Sequence, residues 1–185
     1  MLPVESGALP AVSITAPITG AMHIAPAAYH LQANATPATG SSIAAVEFYL
    51  NGNYVGRDTV SPYGLSVGNI ATGDVTFAAR VIDASGTVSW SQPVTVSVRS
   101  ANPTPVFLDV AGIKYFGLQM YRHAAVVNRS DLLEFSPNMR EWAASPVLHE
   151  TEEIGLGVVK RVYRSSGSVS TFPSGFLRVT TDRTE

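Results

Sequence analysis

Short runs of alternating apolar and polar residues, each closed by turn residues, recur through the first hundred positions of this chain. Residues 12–15 alternate and stop before Pro17, and residues 29–33 alternate again. Strict alternation places every second side chain on the same face of an extended strand. The close spacing of these runs is typical of an antiparallel β-sandwich.

A hairpin is indicated where residues 46–50 are followed directly by Asn51 and Gly52. This dipeptide favours the two-residue turn that joins neighbouring antiparallel strands. Tyr54 and Val55 then begin the return strand. Further strands are predicted at 75–81, 88–90 and 94–98, which gives about seven strands over a first domain at residues 1–100.

A change in charge content predicts a second domain. Residues 1–100 hold three basic and five acidic side chains, whereas residues 101–185 hold nine of each. Pro103 and Pro105 lie at this change and favour an extended, semi-rigid linker at residues 101–105. Residues 106–185 form the predicted second small β domain, with its clearest strands at 106–110, 132–135, 157–163 and 176–179.

One helical turn is also predicted in the second domain. Ser136 suits its N-cap and Pro137 its first position, with Met139 and Trp142 on one side. The complete prediction from the strand pattern is an all-β, two-domain chain: an antiparallel β-sandwich followed by a second small β-sandwich-like domain.

The composition argues against several partners. The formal net charge is only −2, whereas a nucleic-acid-binding domain normally presents a basic face. No apolar stretch reaches the eighteen or so residues that suggest a membrane-spanning helix, so we expect no membrane insertion. The chain has no cysteine, which excludes disulfides and thiolate zinc sites. Residues 1–10 do not have the pattern of a signal peptide, and we expect that an export signal has been removed.

Segments 12–17, 44–52, 61–63 and 77–86 together resemble a bacterial immunoglobulin-like repeat. Such repeats are common in secreted glycan-active enzymes and surface proteins, and the resemblance covers about residues 10–99. It implies an extracellular or cell-surface location. The Asp-rich turn of such repeats, which could hold calcium, is replaced here by residues 34–40, which contain no carboxylate. We therefore expect no calcium site there.

Residues 133–142 and 175–179 resemble the small C-terminal β modules of large secreted proteins from Verrucomicrobia-like bacteria. The aligned stretches differ, since Asn138-Met139 and Glu141-Trp142 replace the pairs typical of those modules. The resemblance implies a place in an extracellular multidomain protein.

Candidate catalytic residues are few. Residues 64–68 fit the Gly-x-Ser-x-Gly pattern of a nucleophile elbow around Ser66, but that motif needs a strand-to-helix turn. We expect this segment to lie between two strands, without a histidine partner. The four histidines lack the spacing of a zinc site, and Glu152 and Glu153 alternate onto opposite faces. The sequence predicts no enzyme, no catalytic residue, no metal and no cofactor.

Aromatic residues are the remaining candidates for a ligand-binding site. Phe48, Phe77 and Trp142 are predicted core residues, because large aromatic side chains contribute much of a small domain's apolar burial. Tyr54 and Tyr63 are predicted to face solvent, as possible contacts for a glycan or a protein partner.

Two functions are compatible with these sequence features. One is a structural, spacer or assembly module that contacts other domains or copies of the same protein, including through open strand edges. The other is a carbohydrate-binding accessory module for extracellular polysaccharide.

Overall fold

The computed structural model describes residues 9–124, 132–136, 139–140, 147–155, 157–168, 170–171 and 176–180. For residues 132, 133, 135 and 177–180 it describes the backbone alone. The chain divides between Val98 and Arg99 into two compact units. Both units consist of antiparallel strands, and the predicted all-β fold is confirmed. The described residues contain no helix long and apolar enough to cross a membrane.

The described residues of the first unit form nine strands in two sheets. One sheet has the order β1-β3-β6, and the other has the order β2-β9-β7-β4-β5 with β8 paired to β7. The strands are β1 (Ala11–Ala16), β2 (Met22–Ile24), β3 (Ala27–Thr36), β4 (Ile43–Leu50), β5 (Asn53–Asp58), β6 (Tyr63–Ile70), β7 (Gly73–Asp83), β8 (Val88–Trp90) and β9 (Val94–Arg99).

The core of this unit lies between the inward faces of the two sheets. Along β3, Tyr29 and Leu31 are buried while His30 is exposed, as the alternation predicts. Phe48 and Phe77 are fully buried, which confirms their predicted core positions. The ring of Tyr29 packs edge-on against Phe77, with 5.3 Å between centroids. Such aromatic pairs add specific packing energy to their apolar burial.

The Asn51-Gly52 hairpin forms as predicted. Both residues have positive φ angles, 49° and 80°, which this two-residue turn requires. The Asn51 side-chain oxygen accepts a hydrogen bond from the backbone N–H of Thr76 at 2.8 Å. That bond ties the turn to β7, while the two-residue turn itself sets the register of β4 against β5, with Tyr49 directly opposite Tyr54.

Two strands of the first unit, β2 and β6, were not predicted. Strand β6 includes the Gly-x-Ser-x-Gly segment, so its predicted position between strands is wrong. Glycines at positions 64 and 68 hide the alternation, in which Leu65 and Val67 pack on the core and Ser66 is exposed. Gly64 lies beneath the His30 ring, since a Cβ there would come within 3.1 Å of His30 Nε2.

The described strands of the second unit form a four-stranded sheet, β10-β11-β14-β13, and a two-stranded sheet, β12-β15. Leu118 and Met120 are buried, and Tyr163 packs against them. The strands are β10 (Thr104–Val110), β11 (Ile113–His123), β12 (Leu132–Ser136), β13 (Val147–Gly155), β14 (Val158–Arg164) and β15 (Phe176–Thr180).

Several predictions for this unit can be compared with its strands. Strands occur at the four predicted places, and β11 and β13 are additional. Strand β10 already begins at Thr104, so the last two residues of the predicted 101–105 linker belong to a strand. Ser136 ends strand β12 and is buried. The rest of the predicted helical turn, including Trp142, lies largely outside the described residues.

A buried carboxylate organises the turn after β7. Asp83 is only 1% exposed. Its Oδ1 atom accepts hydrogen bonds from the Ser85 hydroxyl at 2.6 Å and from the backbone N–H groups of Ser85 and Thr87, each at 2.9 Å. Although burial alone raises a carboxyl pKa, the Ser85 hydroxyl and the Thr87 N–H hold the pKa of Asp83 below its ordinary value of 3.8.

This lowered pKa predicts a loss of stability in acid. The unfolded chain binds a proton at Asp83 more readily than the folded chain does, so stability rises with pH between the two pKa values. The contribution of the Asp83 carboxylate to folding stability is complete above about pH 3.8 and is lost as the pH falls through the pKa of the folded state. When thermal unfolding is measured between about pH 7 and about pH 3, the melting temperature should therefore fall less steeply for Asp83→Asn than for the native chain. Melting temperatures that fall in parallel for the two proteins would contradict this account.

Candidate functional site

The outer face of the larger sheet in the first unit carries two adjacent rows of large side chains. Register places Arg57 of β5 opposite Glu47 of β4, Glu47 opposite Arg80 of β7, and Arg80 opposite Trp90 of β8. The neighbouring row pairs Tyr54 with Tyr49. Directly opposed residues of paired strands share one face of a sheet. The aromatic face is defined here as Glu47, Tyr49, Tyr54, Arg57, Arg80 and Trp90.

The three rings of the aromatic face form a continuous group. The centroid of Tyr49 lies 5.8 Å from that of Tyr54 and 4.7 Å from that of Trp90. Tyr49 is half-buried between the other two rings, whereas Tyr54 and Trp90 are 53% and 54% exposed. The two outer rings therefore present accessible apolar surface on either side of a fixed central ring.

Glu47 holds the centre of the aromatic face together. Its Oε2 atom accepts hydrogen bonds from Arg80 Nε at 2.9 Å and from the Tyr49 hydroxyl at 2.8 Å. Arg80 Nη2 also lies 2.7 Å from this oxygen. Burial and the hydrogen bond to Glu47 raise the pKa of the Tyr49 phenol.

Arg80 also contacts the rings. Its guanidinium carbon lies 5.6 Å from the centroid of Trp90 and 6.0 Å from that of Tyr49, within the range of cation–π attraction. One arginine thus fixes the orientation of two aromatic rings and of one carboxylate. The arrangement limits the rotamers available to these side chains before any ligand is present.

The structure separates the two tyrosines that the sequence singled out. Tyr54 lies on the aromatic face and is exposed. Tyr63 is half-buried on β6 of the other sheet and packs against the core, so it does not project freely into solvent as predicted. Its role as a contact residue stays a prediction, as does that of Tyr54.

Sequence reasoning missed the other members of the aromatic face. The Asn51-Gly52 turn carried enough information to place Tyr49 opposite Tyr54, because a two-residue hairpin fixes the register. No comparable signal placed Trp90 and Arg80 beside Tyr49, since that depends on β7 pairing with β4, a strand that no short turn joins to it.

Ser66 has a histidine partner that the sequence did not predict. Residues 30 and 66 are opposite each other on β3 and β6, and His30 Nδ1 lies 3.0 Å from Ser66 Oγ. The expectation that no histidine reaches Ser66 is therefore wrong. Both residues are exposed, however, and Ser66 lies within a strand instead of on the strand-to-helix turn of a nucleophile elbow. The contact fits a cross-strand hydrogen bond on an open sheet surface.

The neighbouring basic side chains of β14 have different partners. Lys160 Nζ lies 2.8 Å from Glu152 and 3.2 Å from Glu150, and the hydrogen bond to Glu152 contributes most to raising its pKa. Arg161 instead contacts the Tyr163 hydroxyl. Among the described residues, no three histidine or acidic side chains lie close enough to hold a metal ion.

The strand order and core of the first unit can be compared with known proteins. Residues 10–79 match the family described as bacterial Ig domain. Within this Ig-like unit the match includes Glu47, Tyr49, Tyr54 and Arg57, and it ends just before Arg80. The immunoglobulin-like part of the predicted resemblance is therefore confirmed. The resemblance of residues 133–142 and 175–179 to secreted C-terminal modules stays a prediction.

Other comparisons add little about function. No curated protein matches the chain. One matching solved structure is described as "Structures of Clostridium thermocellum CbhA fibronectin(III)-like modules". It is 24% identical, covers 48% of this chain and 94% of that chain, and has a TM-score of 0.45.

Proposed function

We propose that this chain is a non-enzymatic structural module of a secreted or cell-surface bacterial protein, which holds neighbouring domains at a set spacing. The observation that carries this proposal is the Ig-like unit at residues 10–79, followed along the chain by a second compact all-β unit. Pro103 restricts the backbone of the short segment that connects β9 to β10.

A spacer must keep its two units at a narrow range of distances. The chain has no cysteine, so Val60→Cys and Ile113→Cys introduce two exposed labelling positions, one in each unit. Single-molecule energy transfer between dyes at these positions should give one narrow distribution. Replacing Pro103, which precedes β10, with glycine should broaden it. An equally broad distribution for the native sequence would contradict the spacer function.

The aromatic face favours a second function, as a carbohydrate-binding module. Exposed aromatic rings can stack on the apolar C–H face of a sugar ring, while arginine and carboxylate groups hydrogen-bond its hydroxyls. Affinity electrophoresis of the intact chain in gels containing glucan, xylan, mannan or polygalacturonate tests this function. Saturable retardation by at least one polymer supports it, and unchanged mobility in every gel would contradict it.

A further inference from the structure

We infer that the aromatic face binds an acidic polysaccharide, one whose sugar rings carry carboxylate groups. This inference rests on the carbohydrate-binding function proposed above and assigns its site and ligand class. It depends on three features of the aromatic face: two exposed rings, a fixed centre and the placement of the basic side chains.

Tyr54 and Trp90 provide the stacking surfaces. They lie on either side of Tyr49, so their separation cannot exceed the two centroid distances taken together. One oligosaccharide segment can therefore contact both Tyr54 and Trp90. The apolar area removed from water at both rings supplies the main part of the affinity.

The centre of the face requires little reorganisation on binding. Glu47, Tyr49 and Arg80 are joined by hydrogen bonds of 2.7–2.9 Å. Because these side chains are already ordered, a ligand does not have to immobilise them, and less of the interaction energy is lost. The Glu47 carboxylate is also paired with Arg80, whose positive charge offsets its repulsion of an anionic ligand.

The local charge of the aromatic face is positive. Arg57 and Arg80 are the basic Lys or Arg side chains of residues 9–98, and both lie on this face. Arg80 is paired with Glu47, whereas Arg57 is exposed and makes no hydrogen bond or ion pair within the described part of the chain. Arg57 can therefore donate two parallel hydrogen bonds to a carboxylate of the ligand. This charge favours an acidic chain over a neutral one.

Binding to polygalacturonate and to its methyl-esterified form tests the inference, because the two polymers differ only in the esterification that removes the carboxylate charge. We expect the native chain to bind the acid at least about tenfold more tightly than the ester. Tyr54→Ala and Trp90→Ala should each weaken binding to the acid about tenfold. Arg57→Gln should reduce the preference for the acid and its sensitivity to salt, and Arg57→Lys should partly restore both.

Phe107→Ala is the matched control, because Phe107 is 73% exposed but belongs to the second unit. Its affinity should equal that of the native chain, and thermal unfolding of every variant should confirm that it folds. If the native chain binds polygalacturonate and the Tyr54 and Trp90 variants bind it equally well, the assigned site is wrong although carbohydrate binding stands. Equal affinity for acid and ester would overturn the ligand class. No binding to any polymer would overturn the carbohydrate function together with this inference.

Discussion

Replacing Phe77 with alanine should destabilise the first unit by about 3–5 kcal/mol, the usual cost of removing a buried aromatic side chain. Phe77 is fully buried and packs against the Tyr29 ring. The substitution loses its apolar burial and leaves a cavity between the two sheets. A loss of this size is a large part of the total stability of an ordinary domain, about 5–15 kcal/mol.

Urea unfolding measures this loss, and hydrogen exchange locates it. Amides of β3 and β9 should lose protection in Phe77→Ala because both strands belong to the same sandwich. Phe107→Ala removes the same type of side chain from an exposed position in the second unit, so it should leave the amide protection of β3 and β9 unchanged. Equal unfolding midpoints for Phe77→Ala and the native chain would contradict the described core.

Gly117→Ala should destabilise the second unit by about 1–3 kcal/mol, the usual cost of overpacking. A Cβ at Gly117 would lie 2.9 Å from the carbonyl oxygen of Tyr163 and 2.9 Å from Leu108 Cδ1. The Tyr163 carbonyl belongs to the neighbouring strand β14, so relieving this contact requires a backbone shift. Side-chain rotation alone cannot relieve it.

A strand glycine with free space provides the comparison. A Cβ at Gly68 would lie 3.8 Å from the Ala28 Cβ, which is an ordinary contact. Gly68→Ala should therefore be neutral or slightly stabilising, because it reduces the conformational freedom of the unfolded chain. Thermal unfolding of both variants distinguishes the two sites. A Gly117→Ala chain as stable as the native one would show that β11 and β14 do not pack as described.

Alternation and turn residues carried much of the fold prediction for the first unit. They identified β3, β4, β7 and β9 and the buried positions of Phe48 and Phe77. They missed β6, because a glycine has no side chain and therefore does not show whether its position faces the core or solvent. In the second unit the same approach found part of the sheet but missed β11, where charged and aromatic side chains alternate less clearly.

The candidate site was harder to predict than the fold. Tyr54 was selected because it follows a hairpin turn, and that local reasoning placed it correctly on the surface. Tyr63 was selected by its position after Pro62, but its exposure depends on how β6 packs over the core. Local sequence indicates that a residue is near a turn, while burial depends on which distant strand covers it.

The sequence by itself determined that this chain forms strands, where the Asn51-Gly52 turn lies, and which side chains of each predicted strand share a face. These properties follow from backbone preferences and from the two-residue period of a strand. Only the tertiary structure decided that Trp90 and Arg80 lie beside Tyr49, and that His30 meets Ser66. Those contacts join strands far apart in sequence, and their pairing is chosen by the burial of the shared core and not by any local signal.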